Sequence, residues 1–421
     1  MRPISVVLDA RLATGESGGV ESVVIGLASG LSTLDDGDES YRFLTYAGLD
    51  DWLLPYLSGN CSPLTVPAPP AGSEERPLWR RIAGRCMPSS LKSGARRLTR
   101  PSVSPPPASD GTIERFGADL MHFTFQNGFL TALPSIYHPH DLQHLHLPDY
   151  FDPQEYQRRE LWYRTLCQQA AMVAVASTAT RQDVMQHYDL PSEKVQVVPL
   201  APVIGEYPEP DAAEMRDMAD RLGLPAAFIL YPAQTWPHKN HLGLVEALAS
   251  LRDQHDLVVP LVCTGSMNWF YPTIERRVRE LDIAGQVRFL GFVTPRQLRA
   301  LYHLARAVVV PSLFEAASGP LWEAFLSEVP AACSNVTSLP EQAGDAALVF
   351  DPRQPPEIAA AVVRIWRDED LRARLVDRGR ARVRAFTWER TARHFRAHYR
   401  RITGRPLDDI DRAIVTAPPI L

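Results

Sequence analysis

Phe314-Glu315-Ala316-Ala317-Ser318-Gly319-Pro320-Leu321-Trp322-Glu323-Ala324 is the stretch from which the fold of this chain is read. Upstream, Ala305 to Val310 reads as a buried strand that stops at Pro311. Ser318 has N-cap chemistry and Pro320 suits a first helical turn, where its missing N–H costs nothing. The segment is therefore strand, tight loop and helix. Glu315 falls on the loop at the carboxyl end of the strand, and Glu323 about one turn into the helix. The N–H groups of a helix start have no intrahelical partner and attract anions. An anion site flanked by two carboxylates follows: a diphosphate fits the amides, and a carboxylate grips vicinal hydroxyls of a ribose or hexose.

Outward from this element, strand and helix patterns alternate through two halves. The first half opens with Ile4–Leu8, a loop Thr14-Gly15-Glu16-Ser17-Gly18-Gly19-Val20, and a helical pattern from Glu21 to Leu34. Further strands are expected at Phe43–Tyr46, Leu120–Phe123, Ser135–His138 and Met172–Ala176, and the chain then runs through Val195–Pro199. A polar connector over Pro202–Ala213 precedes the second half. There, strands are expected at Ala227–Tyr231, Val258–Thr264, Val287–Leu290, Ala307–Val310, Ala331–Cys333 and Ala347–Phe350. Such alternation predicts an α/β fold of two doubly wound parallel sheets, with a ligand cleft between the carboxyl ends of their strands. Trp388 to Arg401 carries Ala392, Phe395 and Tyr399 at helical spacing, the pattern of a terminal helix packing back on the first half.

At 421 residues the chain needs about two cores. Its 45% hydrophobic and 22% charged composition is that of a globular protein, and a net charge of −5 gives no basic excess for nucleic acid. Cys61, Cys86, Cys167, Cys263 and Cys333 are scattered and odd in number, as expected of buried thiols in a reducing compartment. No signal peptide and no apolar run near the ~18 residues of a membrane span is read, so a cytoplasmic protein is expected.

Other motifs carry less. Lys239 in Tyr231–His241 stands just before a helix, within reach of a phosphate in the cleft. His140 and Asp141 follow a strand, a place suited to sugar contact or proton work. His144 and His146 invite a metal, but no further ligand with suitable spacing stands out. Asp36-Gly37-Asp38 has the spacing some nucleotide-sugar enzymes use for a divalent cation, but lies in a polar turn after a helix and reads as solvated. From about 65 to 110 the chain is rich in Pro, Ser, Gly and Arg. Arg76, Arg80, Arg81, Arg85, Lys92, Arg96, Arg97 and Arg100 interleave there with Leu78, Trp79, Ile82 and Leu91, a pattern that suits either a solvated insertion or an anionic membrane surface.

Taken together, the chain resembles the GT-B retaining glycosyltransferases of family 4. The resemblance is strongest over Ala305–Pro352, where the Glu-x7-Glu element is followed by Ser334–Glu341 and Ala343–Pro352. Pro237-His238-Lys239-Asn240, Val287–Val293, Gly18-Gly19-Val20-Glu21 and His140-Asp141-Leu142 are similar to further family loops. The resemblance implies an acceptor domain over residues 1–205 with the insertion at about 65–110, a nucleotide-sugar donor domain over 206–386, a crossing helix over 387–403 and a tail over 404–421.

It also implies roles. Lys239 neutralises the donor diphosphate, Glu323 holds ribose hydroxyls, and Glu315 contacts the transferred sugar. Amides around Ser318, Gly319, Pro320 and Leu321 bind phosphate or sugar hydroxyls. Gly18, Gly19, Gln234 and Phe292 face the donor, and His140 contacts the sugar and steadies transition-state charge. No metal or other cofactor is implied. The expected partners are a nucleoside-diphosphate sugar, weakly GDP-mannose or a deoxyhexose donor, and a saccharide or polyprenyl-diphosphate-linked saccharide of surface polysaccharide. Contact with the inner face of the plasma membrane is a further expectation. Two departures stand out: Gln234 occupies a position where many members carry arginine, and Phe-Glu-Ala-Ala-Ser-Gly-Pro replaces Phe-Glu-Gly-Phe-Gly-Leu-Pro. A nucleotide-sugar epimerase on the same fold, or a non-catalytic subunit of a glycosyltransferase, are the rival readings.

Overall fold

The structure is a computed structural model that describes residues 2–12, 18–68 and 103–417. Among these residues the first half forms a parallel sheet of β1 (Ser5–Asp9), β2 (Ser40–Tyr46), β3 (Cys61–Val66), β4 (Leu120–Phe123), β5 (Ser135–Tyr137), β6 (Met172–Val175) and β7 (Val195–Val197), in the order β3-β2-β1-β4-β5-β6-β7. The second half repeats the plan with β8 (Ile229–Pro232), β9 (Leu261–Thr264), β10 (Val287–Phe289), β11 (Ala307–Val310), β12 (Ala331–Ser334) and β13 (Ala347–Phe350), in the order β10-β9-β8-β11-β12-β13. Strands β4, β6, β9, β11 and β12 are buried at every residue, as parallel strands covered by helices on both faces must be. In both sheets the order reverses beside the first strand. The crevice that opens there, at β1/β4 and at β8/β11, is where such folds bind ligands.

Most expected strands form. β3 was not expected; it contains Pro63 and lies at the sheet edge, where a missing N–H is tolerated. β9 begins only after Pro260 rather than at Val258. Helix starts follow local chemistry. Asp152 accepts from Gln154 and Glu155 ahead of Pro153–Gln169, and Asp211/Glu214 and Thr294/Gln297 form capping boxes. The connector over 202–213 is not wholly polar, since Val203 and Ile204 are buried in a 3₁₀ turn.

The helix Trp388–Ile402 packs on the N-terminal helix Gly19–Ser32. Gly26 and Gly30 permit this approach: a Cβ on Gly30 would sit 2.2 Å from the Trp388 carbonyl oxygen. The seam is sealed by charge. Arg400 donates to Glu39 at 2.6 Å and to Asp411 at 2.7 Å, all three being buried. The Asp36-Gly37-Asp38 turn is exposed at both aspartates, as expected of a solvated turn, and it also serves this seam. Asp36 pairs with Arg396 and, at 2.9 Å, with Arg393, and these bonds hold its carboxyl well below the usual range. The expected tail carries the helix Asp409–Thr416, which supplies Asp411 to the seam.

Cys61, Cys167, Cys263 and Cys333 are buried free thiols, their pKa values raised by burial. Cys86, the Thr14–Ser17 part of the first loop and the whole Arg76–Arg100 basic stretch lie outside the described residues. None of the described helices is long and apolar enough to cross a membrane.

Candidate active site

A cleft of about 2550 Å³ runs between the two sheets and is lined from both switch points. Single small-molecule sites fill roughly 300–1,000 Å³, so this volume admits two substrates side by side.

On the second-domain wall, Lys239 ends a 3₁₀ turn after β8, and Glu315 lies on the loop after β11. Lys239 Nζ donates to Glu315 Oε1 at 2.6 Å, and Ser312 Oγ donates to the same oxygen at 2.6 Å. Backbone bonds fix both loops. Leu313 N–H donates to the His238 carbonyl at 2.7 Å, Tyr231 OH donates to the Lys239 carbonyl at 2.7 Å, and Asn240 donates to the carbonyls of Pro311 and Pro352. Behind Glu315, Thr337 accepts from its N–H and donates to its carbonyl, while Ser338 donates to the same carbonyl. Asn240 at φ 56° and Thr337 at φ 49° are left-handed. That backbone is strained for a β-branched threonine and is tolerated where surrounding contacts over-determine it.

Glu323 is 7% exposed on the helix Gly319–Leu326. Tyr302 OH donates to its Oε2 at 2.6 Å, and no ion pair reaches it among the described residues. Burial therefore pushes its carboxyl up to about 7, only partly opposed by the tyrosine hydrogen bond. Its other oxygen lies beside Gly319, where a Cβ would be 3.7 Å away.

The structure brings Gly18, Gly19, His140, Gln234, Lys239, Phe292, Glu315, Gly319, Pro320 and Glu323 to the lining of one cleft. Ser318 and Leu321 are fully buried behind it. The expected capping bond from Ser318 does not form. Its N–H instead donates to Gln342 Oε1 at 2.7 Å, and its hydroxyl has no partner among the described residues. By helix geometry the N–H groups of Gly319 and Leu321 remain the unpartnered amides of this turn. Gly18, at φ 54°, meets the second domain directly: a Cβ there would be 3.0 Å from Gln234 Nε2. Trp236 Nε1 holds the other end of the Gln234 amide at 2.7 Å. Phe292, 64% exposed, offers an open aromatic face.

On the first-domain wall His140 takes a left-handed backbone at φ 58°. Its Nε2 lies 2.9 Å from the Thr124 carbonyl, which can only accept, so Nε2 carries the proton and Nδ1 keeps its lone pair. Burial lowers its pKa, leaving the ring neutral. Beneath it runs a chain unseen in the sequence: Tyr399 OH meets His122 Nδ1 at 2.7 Å, and His122 Nε2 meets His138 Nε2 at 2.8 Å. It ties the His140 loop to the crossing helix. Aromatic and carboxylate side chains, Phe125, Phe129, Tyr150, Trp162, Asp141 and Asp149, complete this wall. Its arginines are already paired, Arg11 with Asp9 and Arg158 and Arg159 with Glu155.

Comparison with known proteins places this cleft in a family. The model described as Glycosyl transferases group 1 matches residues 219–382, and that described as Glycosyltransferase Family 4 matches residues 62–201. The chain belongs to the family 4 glycosyltransferases. O-antigen chain mannosyltransferase B of Escherichia coli is 30% identical over 255 residues, which are 59% of this chain and 66% of the relative. D-inositol 3-phosphate glycosyltransferase of Corynebacterium glutamicum is 29% identical over 257 residues, 59% of this chain and 61% of the relative. The match thus spans less than two thirds of these curated relatives. The crystal structure of Anabaena HepE in complex with UDP and glucose superposes with a TM-score of 0.67 at 17% identity, over 94% of this chain and 99% of that one. The two parallel-sheet domains of this chain have the GT-B fold.

Of the residues that build the site, Tyr302, Ser312, Thr337 and Gln342 escaped the sequence reading. Thr337 stands inside the quoted Ser334–Glu341 run, and Ser312 three residues before Glu315. Tyr302 and Gln342 carried no local signal.

Proposed function

We propose that the protein is a metal-independent, retaining glycosyltransferase that moves a hexose from a nucleoside-diphosphate sugar to a saccharide hydroxyl in surface polysaccharide biosynthesis. The observation that carries this reading is the contrast between the two carboxylates on one helix start: Glu315 holds the only cation of its loop pair, Lys239, while Glu323 lies buried with a neutral partner. In this reading the donor diphosphate takes Lys239 and the Gly319 and Leu321 amides. Glu315, released from the lysine, turns its carboxylate to the sugar. Glu323 accepts from vicinal hydroxyls of the nucleotide ribose.

The bond from the sugar anomeric carbon to the diphosphate oxygen breaks, with its electron pair leaving on the diphosphate. Lys239 and the amides hold that charge without a metal. The acceptor hydroxyl attacks the same face as its proton passes to the departing oxygen. Neutral His140 and the aromatic and carboxylate groups of the first-domain wall position the acceptor, and with its arginines already paired this wall suits neutral saccharide hydroxyls.

A mannose donor is favoured by the mannosyltransferase among the relatives, and a lipid-linked acceptor by the basic residues 76–100, which also suit the cytoplasmic face of a membrane. The test is transfer from GDP-mannose to a mannose-containing oligosaccharide in excess chelator, with the product linkage read by NMR. An α-linked product formed without metal supports the reading. A β-linked product, or transfer that requires added metal, overturns the retaining or metal-independent part.

A further inference from the structure

Outside the cleft three side chains converge that play no part in the reaction above. His146 closes the short helix Gln143–His146, while Asp183 and His187 share one face of the helix Thr178–Tyr188 at an i,i+4 spacing. His146 Nε2 lies 2.8 Å from both carboxylate oxygens of Asp183, and His187 Nδ1 lies 3.0 Å from Asp183 Oδ1. One ligand atom from each of the three falls within 4.8 Å of the others. The sequence pointed to only one of these three, His146, and paired it with its neighbour His144. His144 turns away into a cage of Phe151, Tyr156 and Tyr163. Asp183 and His187 arrive through the fold.

We propose that His146, Asp183 and His187 form a binding site for a divalent transition metal of the zinc class. Two imidazoles and a carboxylate are a three-ligand set for Zn²⁺ that leaves a fourth position to water. They are softer donors than Mg²⁺ prefers. Ligands on bonds of about 2.0–2.2 Å in tetrahedral geometry stand about 3.4 Å apart. The separations of 2.8 and 3.0 Å to Asp183 need to open by about half an ångström, while the two histidine nitrogens, within 4.8 Å of each other, settle to the same spacing. His146 and His187 are 41% and 34% exposed, so their side chains can make that move. For Nδ1 of His187 to ligate, its proton, which now points to the Asp183 carbonyl at 2.9 Å, moves to the exposed Nε2 through solvent, a change of tautomer with no net loss of a proton. The site also touches the domain seam. The His146 ring packs on Phe314, centroids 5.4 Å apart, next to Glu315 of the other domain. An occupied site fixes that ring on Phe314.

The test uses the full chain stripped with chelator and titrated with Co²⁺ by absorption and with Zn²⁺ by calorimetry. We expect one saturable equivalent with a visible tetrahedral Co²⁺ spectrum, and an upward shift in Tm on Zn²⁺ addition. His146→Ala and His187→Ala should each weaken binding by more than about 100-fold. His255→Ala, an exposed histidine on another helix, should leave it unchanged. Circular dichroism checks that the variants are folded. Absence of a saturable equivalent, or binding that survives both His146→Ala and His187→Ala, overturns the proposal. Neither readout depends on glycosyl transfer.

Discussion

The crossing helix meets the first domain along a back seam, the two domains face each other across the cleft, and each of these places buries a glutamate. At the back seam Glu39 is 3% exposed and faces Arg400, which also reaches Asp411 and Asp408. At the cleft Glu323 is 7% exposed and has Tyr302 but no cation among the described residues. The difference separates a staple from a site. A buried acid whose charge is answered inside the protein holds two elements together and asks for no ligand. A buried acid without a cation is pushed toward its neutral form, and gains most from a partner that brings several hydroxyl donors. Glu315 stands between the two cases: its Lys239 partner lines the cleft and is 21% exposed, so an anionic ligand can compete for it.

The comparison breaks first at the back seam. Arg400→Met leaves Glu39 and Asp411 as buried carboxylates without their cation, and should cost about 3–5 kcal/mol in chemical denaturation. A loss below about 1 kcal/mol would mean that the charges are not holding the crossing helix. At the cleft the effect should fall on turnover instead. Lys239→Ala is expected to lower kcat/KM by about 10²–10³-fold, with only a small change in Tm, because the lysine answers charge that develops on the diphosphate. A drop confined to stability would make Lys239 a second staple.

The smallest effect sharpens the contrast by pH. The Glu323 carboxyl sits at about 7 in the folded protein against an ordinary 4.5. Its contribution to stability is present below pH 4.5 and is lost as pH rises through about 7. Ribose hydroxyls donate to the ionised form, so nucleotide binding should run the other way. Affinity should fall about tenfold between pH 8 and pH 6. Glu323→Gln should flatten that slope in calorimetric titrations.

How much of this was legible beforehand follows the same division. The strand, loop and helix around Glu315 and Glu323, and the loop bearing Lys239, are local, and their residue order carries their geometry. The switch-point cleft follows from strand–helix alternation. What stayed hidden is set by contacts between distant segments. Tyr302 reaches Glu323 from a neighbouring helix, and Gln342 takes the Ser318 N–H that the sequence assigned to ligand. Tyr399 comes back across 277 residues to His122. The ion pairs that Asp36 makes from its exposed turn were hidden because its arginines lie some 360 positions away. β3 was missed because a proline argues against a strand until one knows that it lies at the edge.

The central claim is that the cleft holds a nucleoside-diphosphate sugar through Lys239, the helix amides and Glu323, with no metal. Thermal shift and calorimetry with UDP, GDP, dTDP and ADP, each in chelator and again with magnesium, on wild type and Glu323→Ala, test it most directly. The account predicts that one nucleotide binds equally well in both conditions and loses most of its affinity in Glu323→Ala. Binding that appears only with magnesium, survives Glu323→Ala unchanged, or is absent for every nucleotide would contradict it.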